Sequence, residues 1–292
     1  MMQFPIGFFS FVWFLTSMKL RKLGLAAGLI LVSCVFAFGQ DPDLGNQNSG
    51  TVRPPRRVQP ARPAPRGPDG RVLLGPITGE AGIWLPGPGG TPGEPWPPKP
   101  NDLPFQDWAR ALFQYRRANQ FEPHTRCKPS GGPRQFLTPY GVEFVEMQDL
   151  KRIFIMDIGG PHTFRTIYMD GRAHPKNLEP SYYGDSTGKW EGDTLVVDTV
   201  GFNEAFWISR GIPTTDRLRM IERFTRTDSN TMKYEVTIDD PGAYTASWTA
   251  GFQLSWDQGL ELFEYVCQDN NYAPELMLGS EHSVDRTSRI VP

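Results

Sequence analysis

The chain has 292 residues, 30 Lys and Arg against 32 Asp and Glu, a formal net charge of -2 and three cysteines. That length suits one medium-sized domain with flanking segments, and a basic stretch over residues 53–71 followed by an acidic body argues against a nucleic-acid-binding body. Removing residues 1–39 would take away three positive charges and no acid, shifting the net charge from -2 to about -5.

In chain order, the first segment reads as an address. "KLRK" at residues 19–22 forms a positive n-region, "LGLAAGLILVSCVFAFG" is the apolar stretch, and Ala37 and Gly39 give a signal-peptidase spacing. Met18 fits as the true start, so residues 1–39 are expected to be a signal peptide cleaved after Gly39. Two rivals stay open. Residues 4–16 with 23–38 could form two membrane passes, although thirteen apolar residues fall short of the roughly 20 that a span needs. Leu31-Val32-Ser33-Cys34 also resembles a lipobox, which would anchor the protein through a lipidated Cys34. The expected location is periplasmic or secreted, with no membrane span left after processing.

Residues 40–104 are dominated by Pro, Gly and Arg, a composition that removes backbone donors and disfavours regular structure. A disordered linker is expected, with one island, Val72–Trp84, able to lie as a short strand or tether against the body. Arg53, Arg56, Arg57, Arg62, Arg66 and Arg71 make this linker basic, which fits weak contact with an anionic envelope polymer. "FQDWARALFQYRRAN" (105–119) reads as an amphipathic helix, with Phe105, Trp108, Leu112 and Tyr115 on its apolar stripe. "HTRCKPSGGPR" follows as a loop carrying Cys127. In an oxidising compartment Cys127 and Cys267 are expected to form one disulfide, the alternative being two buried thiols.

From Val142 the text becomes short runs rich in Val, Ile, Thr, Phe and Tyr. They are "VEFVEM", "RIFIMD", "TFRTIYM", "SYYGDS", "TLVVDTV", "RMIERFTR", "TMKYEVTI", "YTASWTAGFQLSW" and "LELFEYVC", separated by turn chemistry such as "DGR", "TDSN" and "DDPGA". The fold class expected is mainly β: an antiparallel up-and-down meander closing into a barrel, which also removes exposed edges, with one N-terminal amphipathic helix. A twisted open sheet is the alternative. The barrel domain is placed at residues 105–275, with a flexible tail over 276–292.

Several segments, above all "GKWEGDTLVVDTVGFN" and "TIDDP", make the chain resemble a family of secreted bacterial proteins of the acidobacterial type. The resemblance covers roughly residues 80–270. It implies export and a lipocalin-like β-meander, and it supplies no reaction. One departure stands out: where such proteins carry a histidine–acid pair, this chain reads Thr214-Thr215-Asp216.

Chemistry-bearing residues are few. On a strand, Arg165 shares a face with Thr163, Ile167 and Met169, opposite Phe164, Thr166 and Tyr168, and either face could point inward. An arginine inside a barrel requires a carboxylate or an anionic ligand. Glu222, Glu264 and Asp198 sit on otherwise apolar strand faces. They offer an internal ion pair with Arg165, the polar end of a ligand site, or an acid–base pair in which Glu222 or Asp198 acts. Arg165, Tyr168, Glu222, Trp248 and Glu264 are therefore the candidate ligand-lining residues. His162, His174, Asp170 and Asp185 lack a metal-site spacing, and no G-x-S-x-G occurs. "GPGG" at Gly87–Gly90 has no following helix or lysine to cradle a phosphate, so no metal and no cofactor is expected. Three functions remain open: binding of a small, partly apolar molecule in the barrel, catalysis on such a molecule as a lyase, isomerase or hydrolase, or a structural or envelope-interaction role with a filled barrel.

Overall fold

A computed structural model describes residues 60–77, 79–90, 96, 98–158, 163–265 and 267. The signal-peptide and lipobox readings, His162 and the 276–292 tail lie outside the described residues.

The body is mainly β: nine strands close into a lipocalin-like barrel in sequence order. They are β1 (Gly82–Gly90), β2 (Val142–Met147), β3 (Arg152–Asp157), β4 (Phe164–Tyr168), β5 (Asp185–Glu191), β6 (Thr194–Val200), β7 (Arg219–Arg226), β8 (Thr231–Asp239) and β9 (Trp248–Gln258). Alternation of apolar and polar residues writes the barrel directly. In β8, Met232, Tyr234, Val236 and Ile238 point inward and are fully buried, while the intervening residues stay partly exposed.

Two junctions depart from a simple meander. β4 and β5 run parallel, paired only at Ile167–Ser186 and Tyr168–Thr187, because a long crossover of residues 169–184 replaces a hairpin. β1 pairs extensively with β9 but touches β2 only at Trp84–Val142. The β2–β3–β4 unit thus joins the rest of the barrel through two thin seams.

β1 itself corrects an expectation, since it lies in the Pro/Gly-rich stretch read as holding no regular element. Proline is tolerated there because β1 uses mainly one of its two edges, and the register breaks after Pro86. Gly87 lies so close to β9 that a Cβ would stand 2.7 Å from the Gln253 carbonyl. The Val72 island is a tether: Val72 and Leu74 are buried, and the Leu74 carbonyl accepts the Trp84 indole N–H at 2.7 Å. "LELFEYVC" forms no strand. Residues after Gln258 instead run past β2, where Tyr265 packs 5.1 Å from Tyr140, and Cys127 is disulfide-bonded to Cys267 with Cα atoms 5.5 Å apart.

Helix α1 (Asp107–Asn119) is shorter than expected and rotated about its axis. Ala109 and Phe113 are buried, whereas Trp108 and Tyr115 are each 46% exposed. The reason is Phe105. It leaves the helix to bridge Tyr244 and stacks between Tyr244 and Phe113, each at 5.4 Å, which brings the i+4 and i+8 positions against the core. Trp108 lies over the β8–β9 loop and donates its indole N–H to the Gly242 carbonyl at 3.0 Å. Asp240 locks the same loop, accepting the Thr215 backbone N–H at 2.7 Å. Thr215 of the Thr214-Thr215-Asp216 segment is thereby pinned to the "TIDDP" stretch.

Candidate functional site

The interior polar site is assembled by five consecutive strands. Arg165 on β4 points inward and meets Glu222 on β7 in a bidentate pair, with Nη1 donating to Oε1 at 3.0 Å and Nη2 donating to Oε2. Arg165 also donates from Nε to Ser186 Oγ on β5 at 3.0 Å and from Nη2 to Thr199 Oγ1 on β6 at 2.7 Å. Ser186 and Thr199 bond each other at 3.0 Å. From β8 the Tyr234 hydroxyl donates to Glu222 Oε1 at 2.9 Å. Arg165 and Glu222 are 1% and 0% exposed.

Burial opposes the Arg165 charge, but the Glu222 carboxylate outweighs that effect and raises the guanidinium pKa above its ordinary value. Burial, followed by the same carboxylate, pushes the Tyr234 phenol well up. The chemistry is that of a buried bidentate ion pair, with four of the five guanidinium N–H groups bonded. Both oxygens of Glu222 accept charge-assisted or phenolic hydrogen bonds, Oε1 from Arg165 and Tyr234 and Oε2 from Arg165.

Aromatic side chains fill the space around this pair. The segment Gly132–Leu137, one short 3-10 helix, carries Phe136 into the barrel. Its ring lies 5.0 Å from Tyr234, 5.3 Å from Phe224 and 6.2 Å from Phe144. Tyr234 in turn packs 4.7 Å from Phe252. Glycine makes the entry feasible: a Cβ on Gly131 would sit 2.2 Å from the Tyr182 carbonyl oxygen, and Gly132 has φ 53° beside Met220. Barrels of about this strand number have interiors that side chains can fill. Beside the plug, Asp157 Oδ2 accepts from Gln135 Nε2 at 2.7 Å and from the Tyr183 hydroxyl at 3.0 Å.

Of the candidate residues, the structure brings only Arg165 and Glu222 together. Asp198 is corrected to the outer face, because β6 turns Val197 and Thr199 inward. Its carboxylate accepts from Arg219 Nε at 2.9 Å and lies 3.8 Å from His174 Nε2. Tyr168 is likewise outside, with Arg172 4.0 Å and Arg152 5.4 Å from its ring. Glu264 is exposed in the non-strand segment after β9, since that stretch has no partner strand. Trp248 is buried at the start of β9, 5.6 Å from Tyr244 beneath α1. His174 is half-buried on the crossover and hydrogen-bonded to Asp185 at 2.6 Å. Among the described residues no cluster of three or more His, Cys, Asp or Glu is placed to hold a metal ion.

Sequence reasoning missed Ser186, Thr199, Tyr234 and Phe136. The first three were findable, because each falls on the inward phase of its strand opposite the Arg165 level. Phe136 carried no such signal, since "SGGPRQF" reads as a surface loop. Fold and site together define a closed β-barrel with a plugged, ion-paired interior. Compared with protein-family models, curated proteins and solved structures, the chain matches none.

Proposed function

We propose that this is an exported barrel whose interior is structural and whose work is done at its outer surface, as a scaffold or envelope-interaction protein. The observation that carries the reading is the bidentate Arg165–Glu222 pair packed among Phe136, Phe144, Phe224 and Tyr234. The arrangement leaves the barrel axis occupied by the chain's own side chains. A ligand-carrying or catalytic barrel needs the opposite, a concave space with a few unsatisfied polar groups.

The Cys127–Cys267 disulfide supports an oxidising compartment, as do the signal-like N-terminal segment and the resemblance to secreted acidobacterial-type proteins. Large apolar side chains lie outside as well: Phe164 is 52% exposed, 5.6 Å from Phe154, and Leu150 is 51% exposed. Arg66 and Arg71 already face Asp193 and Asp69, so contact with anionic polymer falls chiefly to Arg53, Arg56 and Arg57, outside the described residues.

Fractionation with intact-mass analysis tests this reading. An envelope or secreted protein beginning at Gln40, two daltons lighter than its reduced form, is expected. Cytoplasmic retention with free thiols would overturn export. Co-purification of an apolar molecule that protects Tyr234 and Phe224 would overturn the structural interior.

A further inference from the structure

At the end of the barrel closed by the 60–77 tether, the residues around Arg226 have a different character from the ion-paired interior. Arg226 ends β7 pointing inward, with its guanidinium carbon 4.9 Å from the Trp84 ring and 5.1 Å from the Trp256 ring. Four carbonyls receive it: Leu73 at 2.8 Å and Gly75 at 3.0 Å from Nη1, Ser229 at 2.7 Å from Nη2 and Asp228 at 3.3 Å from Nε. A guanidinium has five N–H donors, so one Nη2 hydrogen remains after these four bonds. Among the described residues no carboxylate lies within ion-pair distance of Arg226, although it is only 4% exposed. This contrasts with Arg165, whose charge is met head-on.

Beside Arg226 opens a cavity of about 190 Å³, walled by Arg62, Pro63, Pro65, Glu80 and Trp256. Its charged lining is two arginines against one glutamate, and Glu80 reaches Arg62 only at 3.8 Å. Burial lowers the Arg226 pKa to about 10 and outweighs Asp228, Glu146 and Glu80, which act on it only at longer range, so an anion in direct contact would stabilise the buried charge. The size is informative too. A cavity of about 150 Å³ holds a benzene ring, so about 190 Å³ accommodates one ring with a carboxylate. Trp256 and the two prolines supply flat apolar walls, Arg62 supplies a guanidinium fork suited to a planar carboxylate, and Arg226 adds its one remaining N–H.

We propose that this rim cavity binds a single-ring aromatic carboxylate, its carboxylate between Arg62 and Arg226 and its ring against Trp256. The site lies outside the plugged interior and does not depend on the proposal for the barrel's function. It also gives the tether a purpose. Residues 62–65 are held in place at Arg62, whose backbone N–H donates to Ser229 Oγ at 2.9 Å and whose carbonyl accepts the Ser229 N–H at 2.8 Å, so the docked tether completes the binding wall.

Isothermal titration of the full mature protein with benzoate, followed in parallel by tryptophan fluorescence, tests the site. Saturable binding is expected, weakened about tenfold or more by Arg62→Glu. Glu80→Gln should strengthen it, because the competing carboxylate is removed. The Arg62 side chain is 56% exposed and the segment docks through its backbone, so the charge reversal leaves the fold intact. Circular dichroism confirms that point. Absence of saturation below about 10 mM, weaker than any useful site, would overturn the proposal, as would an unchanged affinity in Arg62→Glu. Inorganic phosphate binding as tightly as benzoate would overturn the aromatic part of the assignment.

Discussion

Arg165 and Glu222 stand three strands apart in the barrel wall and meet head-on in its interior, with Ser186 and Thr199 of the two intervening strands bonded to the same guanidinium. The placement matters because it crosses the β4–β5 junction, where only two residue pairs hold parallel strands together. The ion pair fastens the β2–β3–β4 unit to the opposite wall where the backbone ladder is thinnest. A buried pair of this kind need not add net stability relative to apolar replacements, but breaking it strands a charge.

Removing one partner is therefore predicted to be severe. Glu222→Gln should cost about 3–5 kcal/mol, or roughly 6–20 °C in Tm for a domain of this size. Replacing Arg165 by Met, Glu222 by Leu and Tyr234 by Phe together should restore most of the loss, because the stranded charge is gone and Ser186 and Thr199 still bond each other. Chemical denaturation of the single and triple variants measures both. A triple variant as unstable as Glu222→Gln would refute the stranded-charge account.

The disulfide closes a separation of 140 residues, for which chain entropy gives about 5 kcal/mol. Among the described residues every strand lies between Gly82 and Gln258, so the barrel ladder itself does not include Cys267. Reduction should lower stability while leaving the far-ultraviolet spectrum barrel-like. Hydrogen exchange should rise first over Leu260–Tyr265 and around Tyr140. Loss of all β structure on reduction would show that the segment after β9 is integral to the fold.

His124 predicts a pH dependence. Burial, then the neighbouring Arg134, lowers its pKa from 6.5 to about 3, only partly offset by Glu122, and Nδ1 lies 2.9 Å from Ser130 Oγ. Below pH 6.5 the unfolded chain takes up a proton that the folded protein refuses. Stability from this group is thus full above pH 6.5 and falls as pH drops toward 3, by at most about 1.4 kcal/mol per unit. Urea titrations between pH 7.5 and 5 should show this slope in the native protein and a shallower one in His124→Gln. Identical slopes would mean that His124 is readily protonated in the folded state.

Much of the barrel was legible because period-2 alternation is a local signal. The residues 142–147, 152–157, 194–200 and 219–226 are strands with the very limits their runs suggest. An Arg165–Glu222 ion pair was one of the readings the sequence left open, because it did not decide which face of the Arg165 strand turns inward; the register that buries both selects it. What stayed hidden depends on distant partners. β1 is a strand only because β9 accepts a proline-bearing edge, and Phe136 becomes core only because Gly131 and Gly132 let its loop pass between Tyr182 and Met220. Trp108 lost its place on the helix stripe to Phe105, which Tyr244 captures from outside the helix.

The central claim, an interior filled by the chain itself, is tested most directly at Phe136. Phe136→Ala should cost about 3–5 kcal/mol and open a ring-sized apolar cavity. Xenon binding followed by NMR reads that cavity in the folded variant. The account predicts no interior xenon site in the native protein and a new one bordered by Phe144, Phe224 and Tyr234 in Phe136→Ala. Xenon entering the native barrel beside Tyr234 would contradict it and return the interior to the candidates for a ligand site.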